Sequence, residues 1–478
     1  MRLIAKVAYN TFAQVISKTI ATALGLLTVA IITRYLNPTG FGQYTTIITF
    51  LSFFGILADL GLTLVTSQMI SRPGIDEKKV LSNLFTLRLI TALFFLSLAP
   101  IVVLFFPYAE AVKVGVAVAA ASFLFIALNQ VLVGLFQNRL RMDKVSIAEV
   151  VGRLVLVIGV VGVVIFDWGL LGVMIATVLS NGINFLLHYL FSRGFNKIEL
   201  EIDLSIWKDI LRRAWPLSIT ITLNLIYLKS DTLILSLVKP QAHVGIYGAA
   251  YKVVEVLIIL PFMFAGLALP ILTKHWAEAA FGHFKRVLQR SFDFMAMLAV
   301  PLMVGTQFFA GEIMTVVAGE EYADSGAVLQ ILIAAAALIF IASMFTHAII
   351  AVERQKETIP AYIFTSITAL AGYIIFIPQY SYFAAAWLTV YSELAIVLFS
   401  IYYVWKYIKF LPNIRILFVS LVAAGGMARV ILLIPRDFYT NIAGLMLSLS
   451  AAAIVYFVFI YLFKGITKQD IMEVMNKK

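Results

Sequence analysis

Val145-Ser-Ile-Ala-Glu149-Val-Val-Gly-Arg153-Leu-Val-Leu-Val-Ile-Gly-Val160-Val-Gly-Val-Val-Ile165-Phe166 decides the fold class. Its two charges sit in its first half, and nearly everything else is apolar. A bilayer core of about 30 Å needs about 20 apolar residues in a helix. The run shows little period-2 alternation, so it reads as a membrane helix and not a barrel strand. Similar stretches recur near 9–33, 42–66, 81–106, 112–136, 169–191, 214–237, 245–272, 291–310, 325–351, 358–377, 382–404, 414–434 and 441–463. With 145–166 they make fourteen predicted spans and an all-α integral membrane protein. The apolar stretch after the basic N-terminus is too long for a signal peptide and lacks a convincing cleavage site, so it reads as a retained first span.

Composition agrees. Hydrophobic types make up 62% of the 478 residues, charged types 13%, and mean hydropathy is +0.99. Soluble domains carry about 25% charged residues, so a disordered chain, a nucleic-acid-binding protein and a cytosolic enzyme are excluded. There is no cysteine, hence no disulfide and no thiolate metal site. His188, His243, His275, His283 and His347 include no pair at the i, i+4 spacing of a helical metal site.

The net charge of +11 follows topology. With the N-terminus in the cytoplasm, twenty-six Lys and Arg fall on inner segments. Arg34, Lys113, Lys239 and Arg436 fall on outer ones. That asymmetry predicts a multi-pass protein with both termini inside, and the expected location is the plasma (inner) membrane. It needs no acidic partner beyond lipid head groups.

The chain repeats itself. Pro38-Thr-Gly-Phe-Gly42-Gln-Tyr44 joins spans 1 and 2; Pro240-Gln-Ala-His-Val-Gly245-Ile-Tyr247 joins spans 7 and 8. Gln137-Asn-Arg139 follows span 4 as Glu353-Arg354-Gln-Lys356 follows span 10. Two parallel six-helix repeats are predicted, related by an axis along the membrane normal. The expected organisation is an N-terminal lobe at 1–191, a cytoplasmic linker at 192–213, a second lobe at 214–404, and helices 13 and 14 with a cytoplasmic tail at 405–478.

Ionisable side chains at membrane depth are costly and usually face a bundle interior or a wet cavity. Lys18, Asp59, Arg88 and Arg153 lie in the cytoplasmic half of their spans; Lys229, Asp231, Lys252 and Glu255 lie nearer the outside. Glu149, Glu393 and Arg429 complete the set. Glu149 and Arg153 are spaced i, i+4, Lys252 and Glu255 i, i+3, and Asp59 could neutralise Lys18 or Arg88. Arg429 is close enough to a span end to snorkel. Asn129, Gln130, Asn181, Asn184 and Asn224 suit interhelical hydrogen bonds or, alternatively, sugar hydroxyls. Tyr35, Tyr44, Tyr108, Tyr247, Tyr251, Tyr380 and Tyr382 form an outer aromatic belt, with stacking on sugars as the sharper alternative. Pro261, Pro270 and Pro301 predict kinks in spans 8 and 9.

The stretch Arg34-Tyr-Leu-Asn-Pro-Thr-Gly-Phe-Gly42-Gln-Tyr44 resembles the Wzx-type oligosaccharide flippases. So does Val244-Gly-Ile-Tyr-Gly-Ala-Ala-Tyr-Lys252-Val-Val-Glu255, followed by Pro261 and Leu269-Pro270. These flippases are the polysaccharide biosynthesis branch of the multidrug/oligosaccharidyl-lipid/polysaccharide (MOP) exporter superfamily, and the 6+6+2 plan is similar throughout. The resemblance implies transport, not enzymatic chemistry, and no cofactor. Its substrate would be a polyprenyl-pyrophosphate-linked oligosaccharide, moved from the cytoplasmic to the outer leaflet by alternating access. The prenyl tail would run in lipid along a groove near spans 13 and 14. Related lipid II flippases place cations in spans 1 and 8, which here hold Lys18 and the Lys252/Glu255 pair. Lys18, Arg88, Arg153, Lys229 and Lys252 are therefore the substrate-binding candidates. Asp59, Asp231, Glu255 and Glu393 are candidates for proton or sodium coupling, or for charge pairing. Implied partners are the lipid-linked glycan, the bilayer, and a glycan polymerase with glycosyltransferases, but no nucleic acid. A cation-coupled drug exporter of the same superfamily is the alternative, and a membrane polymerase or ligase a more distant one.

Overall fold

The computed structural model describes residues 3–59, 61–70, 76–195, 198–439, 441–463 and 465. Arg2, Arg72, Lys197, Lys464, Lys468, Lys477 and Lys478, which the sequence places on the cytoplasmic side, lie outside them, as does most of the expected tail. The described residues contain no strand. The helices are α1 (Leu3–Asp59), α2 (Leu62–Ile70), α3 (Glu77–Val102), α4 (Glu110–Asn138), α5 (Met142–Ile165), α6 (Gly169–Ser192) and α7 (Leu204–Val238). They continue as α8 (Gln241–Leu257), α9 (Ile259–Ala277), α10 (Phe281–Ala318), α11 (Ala323–Ala351), α12 (Ile359–Ile408), α13 (Arg415–Leu433) and α14 (Ile442–Leu462).

Twelve continuous helical segments among the described residues have the length and apolarity to cross a bilayer. Two of them are far too long for one crossing. At 1.5 Å per residue, the 57 residues of α1 would measure about 85 Å. Each contains a break. In α1, Asn37 adopts φ 55°, ψ 174°. Asparagine tolerates left-handed φ, and Pro38 forbids a continuous helix through this point. In α12 the break is Ser381, φ 56°, ψ −137°. The count reaches the predicted fourteen only when both are divided there, at the junctions expected between spans 1 and 2 and spans 11 and 12. Span 8 is interrupted at Ile258, between α8 and α9 and just before Pro261, whereas α9 and α10 run on through Pro270 and Pro301.

The chain forms two compact units, Met1–Gly248 and Ala249–Lys478, so the division falls inside α8. In the first, α4, α5 and α6 pack on one another and on α1 and α3. At one end a core of Leu81, Leu84, Leu132, Phe136 and Ile210 joins α3, α4 and α7. In the second, α10, α11 and α12 form the body, and α13 and α14 pack on α10 through Phe309, Met427, Ile431 and Tyr456. Both units expose large apolar side chains such as Phe94, Ile158, Leu186, Ile367, Phe418 and Leu447. Such a surface suits acyl chains.

A repeated corner appears once in each unit. After α4, Arg141 lies 5.8 Å from the ring of Phe195 beyond α6 and forks onto Asp143 at 2.9 and 3.0 Å. After α11, Arg354 lies 5.2 Å from the ring of Tyr407 at the end of α12 and pairs with Glu357 at 3.6 Å. Each corner sets a cation over the aromatic that closes its repeat. Arg141, and not Arg139, occupies the place of Arg354; Arg139 pairs instead with Glu77 at 2.6 Å.

The expected linker 192–213 is helical from Leu204 onward, with Asp203 as the N-cap. Before it, residues 198–203 run as a strap along α3. The amides of Glu199, Glu201 and Asp203 donate to Ser82 Oγ, Thr86 Oγ1 and Asn83 Oδ1 at 3.2, 3.0 and 2.7 Å. Lys78 pairs with Glu199 at 2.8 Å and Lys79 with Asp203 at 2.7 Å. The Lys79 ammonium, helped by the Ser205 hydroxyl, holds the Asp203 carboxyl well below the usual carboxylate range. A depressed carboxylate stabilises the fold above its ordinary titration range, and acid removes that contribution only as pH falls through the lowered value.

Candidate functional site

Two ion pairs in the first unit have opposite characters. The first joins α1 to α5. Ser17 Oγ donates to Ser146 Oγ at 2.8 Å, and beside it Lys18 Nζ lies 3.1 Å from Glu149 Oε1. The side chains are 43% and 33% exposed. One turn on, Arg153 is exposed and makes no ion pair or hydrogen bond among the described residues. Its Nη1 lies 4.0 Å from where a Cβ on Gly25 of α1 would sit. Glu149 thus turns to Lys18 on the neighbouring helix and leaves its i+4 neighbour free. Lys18, Glu149 and Arg153 form a strip with one net positive charge.

The second pair is closed. Arg88, 3% exposed, forms an ion pair with Asp59, 13% exposed. Every guanidinium nitrogen is engaged. Nε donates to Ala127 O at 3.0 Å, Nη1 to both Asp59 Oδ1 and Asp59 O (the latter at 3.0 Å), and Nη2 to Thr63 Oγ1 at 3.3 Å. Asp59 ends α1 and also accepts from the amide and hydroxyl of Thr63 in α2. Arg88 therefore ties α3 and α4 to the interruption between α1 and α2. Four of its five N–H donors are taken up inside the protein.

The remaining charges are separate. Asp231 in α7 is fully buried and accepts from Tyr247 Oη of α8 at 2.5 Å and from the Thr232 amide, with Lys229 within electrostatic range. In the second unit, Lys252 and Glu255 pair along α8 at 2.7 Å. Glu393, on the second half of α12, is 4% exposed with neither ion pair nor hydrogen bond among the described residues. Arg429 on α13 is exposed.

The asparagines bond protein groups. Asn129 Nδ2 donates to Asn184 Oδ1 at 2.7 Å, Asn184 Nδ2 to Ala148 O at 3.1 Å, and Asn181 Nδ2 to Ser122 Oγ at 2.7 Å. They knit α4, α5 and α6 as interhelical bonds do in apolar surroundings. His188 Nδ1 donates to Asn184 O at 2.9 Å, which leaves Nε2 buried without a partner. The second unit holds an apolar cavity of about 500 Å³ between α8, α9, α10, α11, α13 and α14. Its lining includes Leu260, Pro301, Phe309, Met427, Leu449 and Tyr456. A Cβ on Gly305 would meet only Met427 Cε, at 3.9 Å, so a side chain added there would enter that space.

Sequence reasoning misses the Lys18–Glu149 contact, Gly25 opposite Arg153, and the satisfaction of Arg88 by Thr63 and a carbonyl of α4. The i, i+4 rule points Glu149 along its own helix. A common face on α1 for Lys18 and Gly25, seven residues apart, is the available signal for the neighbouring helix.

This architecture defines a membrane transporter fold. It superposes on the lipid II flippase MurJ in an inward closed conformation with a TM-score of 0.77, at 16% identity, covering 97% of this chain and 100% of that one. An inward-facing multidrug resistance MATE family transporter of the MOP superfamily gives 0.67 at 17% identity, covering 84% and 99%. A MOP superfamily transporter from Pyrococcus furiosus gives 0.56 at 14%, covering 85% and 96%. Residues 7–276 match the polysaccharide biosynthesis protein family, and the chain belongs to that family. No curated protein matches the sequence.

Proposed function

We propose that the chain flips a polyprenyl-pyrophosphate-linked oligosaccharide from the cytoplasmic to the outer leaflet of the plasma membrane by alternating access, supplying surface polysaccharide biosynthesis. The observation that carries this reading is the Lys18–Glu149–Arg153 strip on α1 and α5. It has cationic excess, an unengaged guanidinium and a lysine in a part-exposed pair. A phosphate needs such groups once it leaves water. The same strip disfavours a cationic drug as cargo. The apolar cavity against α13 and α14 suits a prenyl chain. Arg88 keeps a positioning role, while Lys229 and Lys252 serve as later cationic steps. Asp231, Glu255 and above all the unpartnered Glu393 carry coupling to protons or sodium.

The test is reconstitution in vesicles with a fluorescent lipid-linked saccharide, reading exposure of the sugar in the far leaflet. The Lys18→Gln/Arg153→Gln variant should flip at least about tenfold more slowly, as expected when two charge-assisted contacts are lost. An unchanged rate would sink the reading. Gly305→Leu should slow a long-chain polyprenyl carrier several-fold and leave a farnesyl carrier unaffected. Equal slowing of both carriers would remove the cavity from the tail's path.

A further inference from the structure

The charges of the strip do not match its proposed ligand. A pyrophosphate diester carries two negative charges; Lys18, Arg153 and Glu149 together carry one positive. Arg153 is free to meet the ligand, but Lys18 is occupied. The carboxylate that occupies it ignores the arginine one turn away on its own helix and reaches across to α1. This pair is also easily broken. Both partners are part-exposed and a single contact of 3.1 Å joins them. The Asp59–Arg88 pair, largely buried and with every guanidinium nitrogen bonded, is built to persist.

We infer that Glu149 is an internal counter-ion that holds Lys18 in reserve and competes with the substrate's pyrophosphate for it. The inference rests on the flippase reading and gives that site a specificity-determining residue. A ligand with one negative charge is met by Arg153 alone. A ligand with two can also displace Glu149 from Lys18, and a pyrophosphate diester has the second charge that a phosphodiester lacks. The freed carboxylate then lies one turn from Arg153 and within electrostatic range of His188 on α6.

The full chain in nanodiscs would be titrated with farnesyl-pyrophosphoryl-N-acetylglucosamine, a diester with no ionisation near neutrality, at pH 7.5. Glu149→Gln should bind it about three- to tenfold more tightly at pH 7.5, since the competitor has gone. Glu149→Ala, which also removes the carboxylate, should gain affinity in the same sense, and a farnesyl phosphodiester of the same sugar, with one negative charge, should bind wild type and Glu149→Gln alike. A purely structural Glu149 would give the opposite sign, a loss of affinity on substitution. An unchanged or weaker affinity in folded Glu149→Gln would overturn the inference. So would an unchanged or weaker affinity in Glu149→Ala. The flippase reading fails differently: no binding by wild type, or binding that Lys18→Gln/Arg153→Gln leaves intact.

Discussion

Gly42→Val is expected to destabilise the protein by about 3 kcal/mol or more, among the largest effects of any single substitution. The second half of α1 and the start of α8 cross where each helix puts a glycine against a first-turn carbonyl of the other. A Cβ on Gly42 would lie 1.8 Å from Gln241 O, and one on Gly245 would lie 2.0 Å from Pro38 O. Both obstacles are backbone, so no rotamer relieves them, and the helices must separate. Thr46 Oγ1, which donates to Gln241 Oε1 at 2.8 Å, would lose its partner, and the contact of Gly248 with Thr45 would open. Phe41, Val244 and Tyr247, all fully buried around the crossing, would be uncovered. Thermal unfolding in detergent measures the loss, and Gly245→Val should match it. Gly266→Ala is the control: nothing lies within 4 Å of a Cβ there. Its melting temperature should stay level or rise slightly, as alanine favours helix over glycine. Equal stability of Gly42→Val and Gly266→Ala would refute the crossing.

Arg88→Ala should cost about 3–5 kcal/mol, because it leaves the Asp59 carboxylate buried without its counter-charge. It also strips donors from Ala127 O, Asp59 O and Thr63 Oγ1. Asp59→Ala should cost a similar amount by stranding the guanidinium. Removing both charges as Asp59→Asn/Arg88→Leu should cost less than either single change, since no isolated charge remains. Melting curves of the three variants decide it. A double variant as damaged as the sum of the singles would mean the pair acts through packing and not through charge.

Much of the fold is legible in the sequence. Apolar runs of bilayer length give the helices, and the dipeptide Asn37-Pro38 by itself marks the break in α1. The likeness of Pro38–Tyr44 to Pro240–Tyr247 marks a repeat, but that the two runs cross is seen only in the structure. The candidate site is less legible. Periodicity assigns a residue to a face of its own helix but does not say which helix that face meets. Lys252 and Glu255, which pair within α8, can be read directly. Glu149 cannot, because its choice between Arg153 and Lys18 depends on how close α1 comes. Arg88 shows the same gap. Asp59 is a partner that charge alone suggests for it, but a carbonyl of α4 carries no sequence signature. Glu393 reads as polar at depth, yet only packing shows that nothing answers it.

The strap along α3 has a practical consequence. Hydropathy marks residues 198–203 as an ordinary surface connector, the kind of place where an affinity tag or a rigid fusion partner for imaging is spliced in. Alternate amides of that stretch are already spoken for by Ser82, Asn83 and Thr86. An insertion there would unthread the seam that moors the start of α7, so reporter sequences belong elsewhere on the chain.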